Sequence, residues 1–216
     1  WGQGVILGQA EEEFKTFLET SGIPAAWTIL GLSALPTGHP SNRGMVGMHG
    51  NYAPNLLTNE CDLLIAIGMR FDDRVTGDLN TYAKQAKVIH LELDPAEVNK
   101  NVKADVTLLC DCKISLQALN DKISTKTYPE WIKRFDDLDV IEKEKVIYGD
   151  LNPTKPGLTM GESVEMINKH SNGDAVIVTD VGQHQMVACR YAKFTQSKSN
   201  VTSGGLGTMG FALPAA

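Results

Sequence analysis

Three short apolar segments decide the fold: DLLIAIG at residues 62–68, KVIHLELD at 87–94 and DVTLLCD at 105–111. Each is a short apolar segment with the length of a strand, separated from the next by polar or helical stretches. That pattern belongs to strands of a parallel sheet covered on both faces. The polar stretches between them have helical spacing. Residues 51–60 and 113–124 supply covering helices, and in the second Leu116, Leu119 and Ile123 recur on one face. The fold read from these segments is α/β, a doubly wound parallel sheet.

Upstream, AEEEFKTFLETS at residues 10–21 places three glutamates in a first helical turn, where they favour the helix dipole. Phe14, Phe17 and Leu18 share a face, and Gly22 marks the stop. AAWTIL at 25–30 reads as a strand, and the Gly-, Pro- and His-rich stretch 35–50 as a long loop. Downstream, Trp131, Phe135, Leu138 and Ile141 form one stripe on a charged helix that ends at Gly149 and the Pro153/Pro156 pair. A new βα rhythm follows. Thr159 and Glu162 have capping-box spacing, Met160, Val164 and Ile167 make an apolar face, and DAVIVTDVG at 174–182 reads as a buried strand ending in a turn. The chain therefore divides into a first unit over residues 1–126, a linker with a helix over 127–156, and a second unit over 157–216.

Composition bounds the function. Hydrophobic residues make up 42% and charged residues 21% of the 216, the usage of an ordinary globular chain with a packed core. A formal net charge of −6 without any Lys/Arg run leaves no electrostatic footprint for nucleic acid or an anionic membrane. The apolar runs are too short to cross a bilayer, and no charged-then-apolar leader opens the chain, so a cytoplasmic setting is expected. Cys61, Cys110, Cys112 and Cys189 lack zinc or disulfide-framework spacing and read as reduced, mostly buried thiols. Trp1 is not an initiator, and Ala215-Ala216 fall inside the start of a helix, so a longer parent chain is expected.

In open parallel sheets ligands bind beyond the carboxyl ends of the strands. After the first segment comes MRFDDR at 69–74, two arginines and two aspartates in a turn; arginine offers a planar fork to phosphate or carboxylate. Glu92 and Asp94 end the second segment and Asp111 the third. Singly, each acid reads as a helix N-cap, but together they point to a nucleotide ribose. MVGMHG at 45–50 lets backbone approach a flat ligand closely, with Met48 and His49 beside it. Gly2 and Gly4 form a weak phosphate-turn signal. In the second unit, DVGQHQM at 180–186 follows a strand, and TSGGLGTMG at 202–210 is dense in glycine.

Taken in order, GMVGMHGNYAPNLLTNECDLLIAIGMRFDDRVTG, HLELDP, VTDVGQHQM and SGGLGTMGFALPAA resemble the acetohydroxyacid (acetolactate) synthase large-subunit family over essentially the whole chain. The resemblance implies a flavin-binding middle domain followed by the opening of a thiamine-diphosphate domain. It implies a parent transferase that uses FAD, thiamine diphosphate and Mg²⁺. That enzyme decarboxylates pyruvate and joins the two-carbon unit to a second 2-ketoacid on the way to valine, leucine and isoleucine. By matched motif, Thr28, Ile29, Met48, His49, Gly68, Met69, Arg70, Asp73, Glu92 and Asp111 would contact FAD. Arg74 would hold the carboxylate of the second ketoacid. Gln183, His184, Gly207 and Met209 would line the thiamine site. The family's catalytic glutamate and its Mg²⁺ ligands have no match here, so these residues alone are expected to be inactive and to bind FAD weakly. Against the family pattern, the strand ahead of Gly2 is expected to be absent or shortened, and Cys110 stands where a glycine before Asp111 is usual. A homodimer or larger assembly, with a small regulatory subunit, is the implied partner set. Three alternatives stay open: a glyoxylate carboligase or pyruvate oxidase type of enzyme, against which FDDRVTG argues; a non-catalytic nucleotide-binding module of the kind found in NAD-dependent deacylases, whose zinc cysteines are absent; and a plain interaction domain without a ligand, against which the four motif-bearing strand ends argue.

Overall fold

A computed structural model describes all 216 residues. In chain order the elements are α1 (Gly4–Leu7), α2 (Glu11–Ser21), β1 (Ala25–Trp27), a 3₁₀ turn (Ile29–Gly31), β2 (Asn42–Met45), α3 (Tyr52–Thr58), β3 (Leu63–Ile67), α4 (Asp73–Thr76), β4 (Lys87–Glu92), β5 (Val106–Leu109) and α5 (Cys112–Asn120). There follow α6 (Pro129–Glu142), a π turn (Lys143–Ile147), α7 (Tyr148–Leu151), α8 (Met160–Ser171), β6 (Ile177–Thr179), α9 (Gln183–Tyr191), β7 (Asn200–Thr202) and α10 (Ala212–Ala215). All strand pairs are parallel, in the orders β1-β2, β3-β4-β5 and β6-β7. The α/β reading with parallel strands therefore holds.

The first two sheets are one layer joined through the backbone of Trp1 and Gly2. The Trp1 amino group donates to the Ala26 carbonyl at 2.6 Å, and the Thr28 N–H donates to the Trp1 carbonyl at 2.9 Å. On the other side the Gly2 and Gly4 N–H groups donate to the carbonyls of Ile67 and Gly68, at 2.9 and 3.0 Å. Pairing on both sides satisfies backbone groups that burial would otherwise leave orphaned. Around β3 and β4 both faces of this layer are covered, whereas β5 at its edge has no buried residue, with Val106 and Leu109 about half exposed, short of the cover expected for it. Ile67 and Leu91 pack with Phe14, Phe17 and Leu18 of α2 and Leu116 of α5, while Ala66 and Val88 point the other way onto Met69 and Phe71.

Local chemistry explains most boundaries. Helix α2 carries Glu11, Glu12 and Glu13 in its first turn and ends at Gly22 in the left-handed conformation, φ +67°. Helix α8 opens with the full capping box, Thr159 and Glu162 each bonding the other's backbone. Burial lifts the thiols of Cys112 and Cys189 to about 12, so both stay neutral at physiological pH.

Three expectations are corrected. The stretch 35–50 is not all loop: Asn42–Met45 forms β2 beside β1, held where the Trp27 indole N–H donates to the Asn42 side chain at 3.2 Å. NRGM has little intrinsic strand preference, so the pairing is a tertiary effect. The strand read over 25–30 stops at Trp27, and Ile29–Gly31 coils into a 3₁₀ turn. The segment 174–182 is not a buried strand: Val176 is 62% exposed, and only Thr179 of β6 is buried. A two-stranded sheet offers too little opposing surface to cover it, and for the same reason Met160 and Ile167 on α8 stay nearly half exposed. No helix is long and apolar enough to cross a membrane.

Candidate functional site

The carboxyl ends of β3, β4 and β5 open into one cleft of about 770 Å³, within the range typical of small-molecule sites, roughly 300–1,000 Å³. Its floor is the turn after β3. There Gly68 adopts φ +57°, and a Cβ on it would lie 2.6 Å from the Gly4 Cα and 2.8 Å from the Cys112 sulfur. Only glycine allows the first helix, the turn and α5 to close so tightly. Beneath the floor His90 is fully buried, and its Nε2–H donates to the Met69 carbonyl at 2.8 Å. A carbonyl can only accept, so the proton sits on Nε2; Nδ1 has no partner.

The next residues are aimed by a strained hinge. Phe71 has φ +53°, unusual for an aromatic residue, and is held there by burial against the edges of His90 and Tyr82, with ring centroids 5.0 and 6.2 Å away. Asn101 donates to the Phe71 carbonyl at 2.8 Å. Asp72 then caps α4 by accepting from the Arg74 N–H at 3.1 Å. Arg74 itself is 74% exposed and has only a long contact, 3.8 Å, with Asp73. Its guanidinium is thus presented to the cleft and little engaged by protein.

The acids at the strand ends carry two duties. Glu92 accepts from the N–H groups of Leu93 and Asp94, at 2.8 and 3.0 Å, through one oxygen. Asp111 caps α5 by accepting from Lys113 at 2.8 Å. Asp111 is therefore a helix N-cap, as its isolated reading has it, whereas no helix follows Glu92 and its carboxylate holds the turn after β4; each also lines the cleft, as the combined reading requires. Both keep acceptor capacity for a ligand hydroxyl.

All ten residues singled out for FAD line this cleft, Thr28, Ile29, Met48, His49, Gly68, Met69, Arg70, Asp73, Glu92 and Asp111, and Arg74 lines it with them. Of the four thiamine candidates, Gly207 lines it, while Gln183, His184 and Met209 lie outside. From α9 it is Gln185 and Met186 that line this cleft, with Val181 just before the helix. Helical periodicity starting from Gly182 puts positions three and four residues on, 185 and 186, over the same turn. That spacing was the available signal. Gln185 is buried, and its amide donates to the Thr202 hydroxyl at 2.6 Å.

The glycine loop after β7 closes the cleft from the second unit and is tied down by Asp180. Its carboxylate accepts from Val181 N–H at 2.8 Å, from Gly210 N–H at 2.7 Å and from Phe211 N–H at 3.3 Å. Those donors, Val181 foremost, hold the carboxyl below the usual carboxylate range. A pKa lowered by folding contributes stability above the unfolded-state value, near 3.9, and loses it as pH falls through the folded value. The loop should thus stay anchored at neutral pH and loosen only below about pH 4. Asp180→Asn should loosen it at pH 7 as well, giving severalfold faster protease cleavage within residues 203–210.

Residues 1–119 match the family described as "Thiamine pyrophosphate enzyme, central domain", and residues 180–216 match "Thiamine pyrophosphate enzyme, C-terminal TPP binding domain". The chain belongs to the thiamine pyrophosphate enzyme family. Among curated proteins it is similar to a probable acetolactate synthase large subunit of Methanocaldococcus jannaschii, 41% identical over 220 residues, covering 100% of this chain and 37% of that protein. It is similar to chloroplastic acetolactate synthase 2 of Nicotiana tabacum, 39% identical over 219 residues, covering 96% of this chain and 32% of that protein. A third relative, the acetolactate synthase isozyme 2 large subunit of Escherichia coli, is 40% identical over 218 residues, covering 100% and 38%. This thiamine pyrophosphate enzyme chain spans roughly a third of the length of the relatives it matches.

Proposed function

We propose that these residues are the flavin-binding middle domain and the opening of the thiamine-diphosphate domain of an acetolactate synthase large subunit. The reading is supported above all by one observation: a single cleft gathers all ten flavin candidates with Arg74 at its rim. The domain division proposed is 1–126, 127–156 and 157–216, in keeping with the two family matches on either side of the middle helix. The parent protein would act on 2-ketoacids, assemble at least as a homodimer, and work in the cytoplasm.

The residues present fit an adenine dinucleotide. Glu92 and Asp111 offer acceptors at adjacent strand ends, suited to ribose hydroxyls. Gly68 and the loop 45–50 let a flat or phosphorylated group lie against main chain. Arg70 and Arg74 supply the positive charge that two phosphates or a carboxylate require. Thiamine diphosphate, when bound, would supply the chemistry that removes CO₂ from pyruvate. What this chain adds is position. Arg74, exposed at the cleft, would fix the carboxylate of the second ketoacid, and Gln185 with the 203–207 backbone would close the cleft against water.

Full-length protein given pyruvate, thiamine diphosphate, Mg²⁺ and FAD should accumulate acetolactate; acetyl phosphate as the product would overturn the assignment. In the same protein, Arg74→Ala should lower kcat/KM for the second ketoacid by about 10–100-fold, equivalent to losing one charge-assisted contact of roughly 1.5–3 kcal/mol. Steady-state competition between pyruvate and 2-ketobutyrate reads it. Unchanged acceptor discrimination would argue against the role given to Arg74.

A further inference from the structure

The wall of the cleft that carries Met48 and His49 is held from outside its own unit. The loop 45–50 leaves β2 and returns at Asn51, whose side chain accepts from the Met45 N–H at 2.9 Å while its backbone N–H donates to the Met45 carbonyl at 2.8 Å. Asn51 thus pins the two ends of the loop together. Asn55 on α3 holds the middle, bonding both the N–H and the carbonyl of Gly47 at 2.8 Å. The Met48 N–H in turn donates to the Arg74 carbonyl at 2.7 Å, and Gly47 at φ +106° leaves no room for a Cβ, which would lie 2.6 Å from that same carbonyl. The loop therefore buttresses the backbone of Arg74.

What fixes Asn51 is Glu142, the last residue of α6 and only 5% exposed at its side chain. It accepts from the Asn51 amide at 3.3 Å and from the Tyr52 N–H at 3.0 Å, and it is ion-paired with Arg190 near the end of α9. Arg190 uses its second nitrogen to donate to the Gly50 carbonyl at 3.1 Å. A planar guanidinium can span a carboxylate and a carbonyl at once; a lysine ammonium is a point charge suited to one of them. Removing the arginine leaves a buried carboxylate without its cation, a costly state that the surroundings relieve by moving.

We infer that Glu142 and Arg190 are a positioning pair: a latch by which helix α9, from the thiamine side, sets the 48–52 end of the loop that forms the flavin wall and supports Arg74. The inference builds on the flavin reading of the cleft, and goes beyond it in making the two cofactor regions mechanically dependent through residues that touch neither ligand.

Amide hydrogen exchange tests the latch without any ligand. In Arg190→Ala, the amides of Gly50 and Tyr52 should exchange at least tenfold faster, while Gly47, held by Asn55, keeps its native rate. Arg190→Lys separates positioning from general stability. It can retain the ion pair with Glu142 and a near-native melting temperature, yet lacks the second donor, so Gly50 should still exchange faster. If Gly50 and Tyr52 exchange at the native rate in folded Arg190→Lys and Arg190→Ala, or accelerate only in step with β3, the latch is wrong. In the full-length protein, FAD titration should show at least tenfold weaker binding for Arg190→Ala at a temperature where it is folded; equal affinity overturns the effect on the flavin wall. Absence of FAD binding by the unsubstituted full-length protein would instead sink the flavin reading, and the exchange result would still decide the latch.

Discussion

Gly68→Val should abolish flavin binding and destabilise the first unit by about 2–6 kcal/mol, the sum of placing a β-branched residue at positive φ and overpacking a closed contact. The position is demanding in two independent ways. Its φ of +57° is a conformation that valine reaches only with strain. Its Cβ would also meet the Gly4 Cα at 2.6 Å and the Cys112 sulfur at 2.8 Å, and neither neighbour is the free end of a flexible side chain. The turn would have to swing into the cleft, carrying Met69 and Arg70 with it and undoing the His90 contact to Met69. Urea denaturation reads the stability loss, and FAD fluorescence titration of the full-length protein the binding. Gly38→Ala is the matched control, because Gly38 lies outside the cleft and has no heavy atom within 4 Å of a built Cβ. A Gly68→Val protein with native urea midpoint and native FAD affinity would contradict this account of the floor.

Phe14→Ala should cost about 3–5 kcal/mol, the usual range for deleting a fully buried aromatic ring. Phe14 is 1% exposed and packs on the Trp1 ring, centroids 5.0 Å apart. It belongs to the cluster that holds α2 and α5 against Ile67 and Leu91. The cavity left behind would sit under the joint where Trp1 and Gly2 bridge the two sheets, a place with little freedom to collapse. At about 2–4 °C per kcal/mol for a chain of this size, thermal unfolding should shift down by roughly 6–20 °C. Leu158→Ala, on an exposed side chain, should stay within about 0.5 kcal/mol of the native protein. A Phe14→Ala melting temperature within 2 °C of that control, a shift too small for core loss, would show that the ring is not structural.

Elements whose signals are local were legible in the order of residues. β3, β4 and β5 are short runs rich in Leu, Ile and Val, and such a run announces itself, although only β3 and β4 contribute buried residues to the core and Val106 and Leu109 of β5 stay about half exposed. α2 and α8 carry their start and stop chemistry within a few residues, as Glu11, Gly22, Thr159 and Glu162 show. β2 was not legible, because NRGM owes its extended form to Trp27 and Asn42 meeting across 15 residues. The exposure of β6 was not legible either, since an apolar run reports what could be buried and not whether a neighbour arrives to bury it.

The candidate site divides along the same line. That acids and arginines follow the strands is a property of the residue order, and so are the capping roles of Asp72 and Asp111. That Glu92, Asp111, Gly68 and the loop 45–50 share one cleft depends on parallel register, which brings Ile67 beside Leu91 and Glu92 beside Leu109. Gln185 and Met186 line that cleft while Gln183 and His184 do not, a difference set by how α9 packs on α8, β2 and β6, with Arg190 reaching Glu142 and Gly50, 48 and 140 residues away. Local residue types set which groups were available; contacts between residues far apart in the chain set which of them meet, because orientation is a property of packing that no local pattern contains.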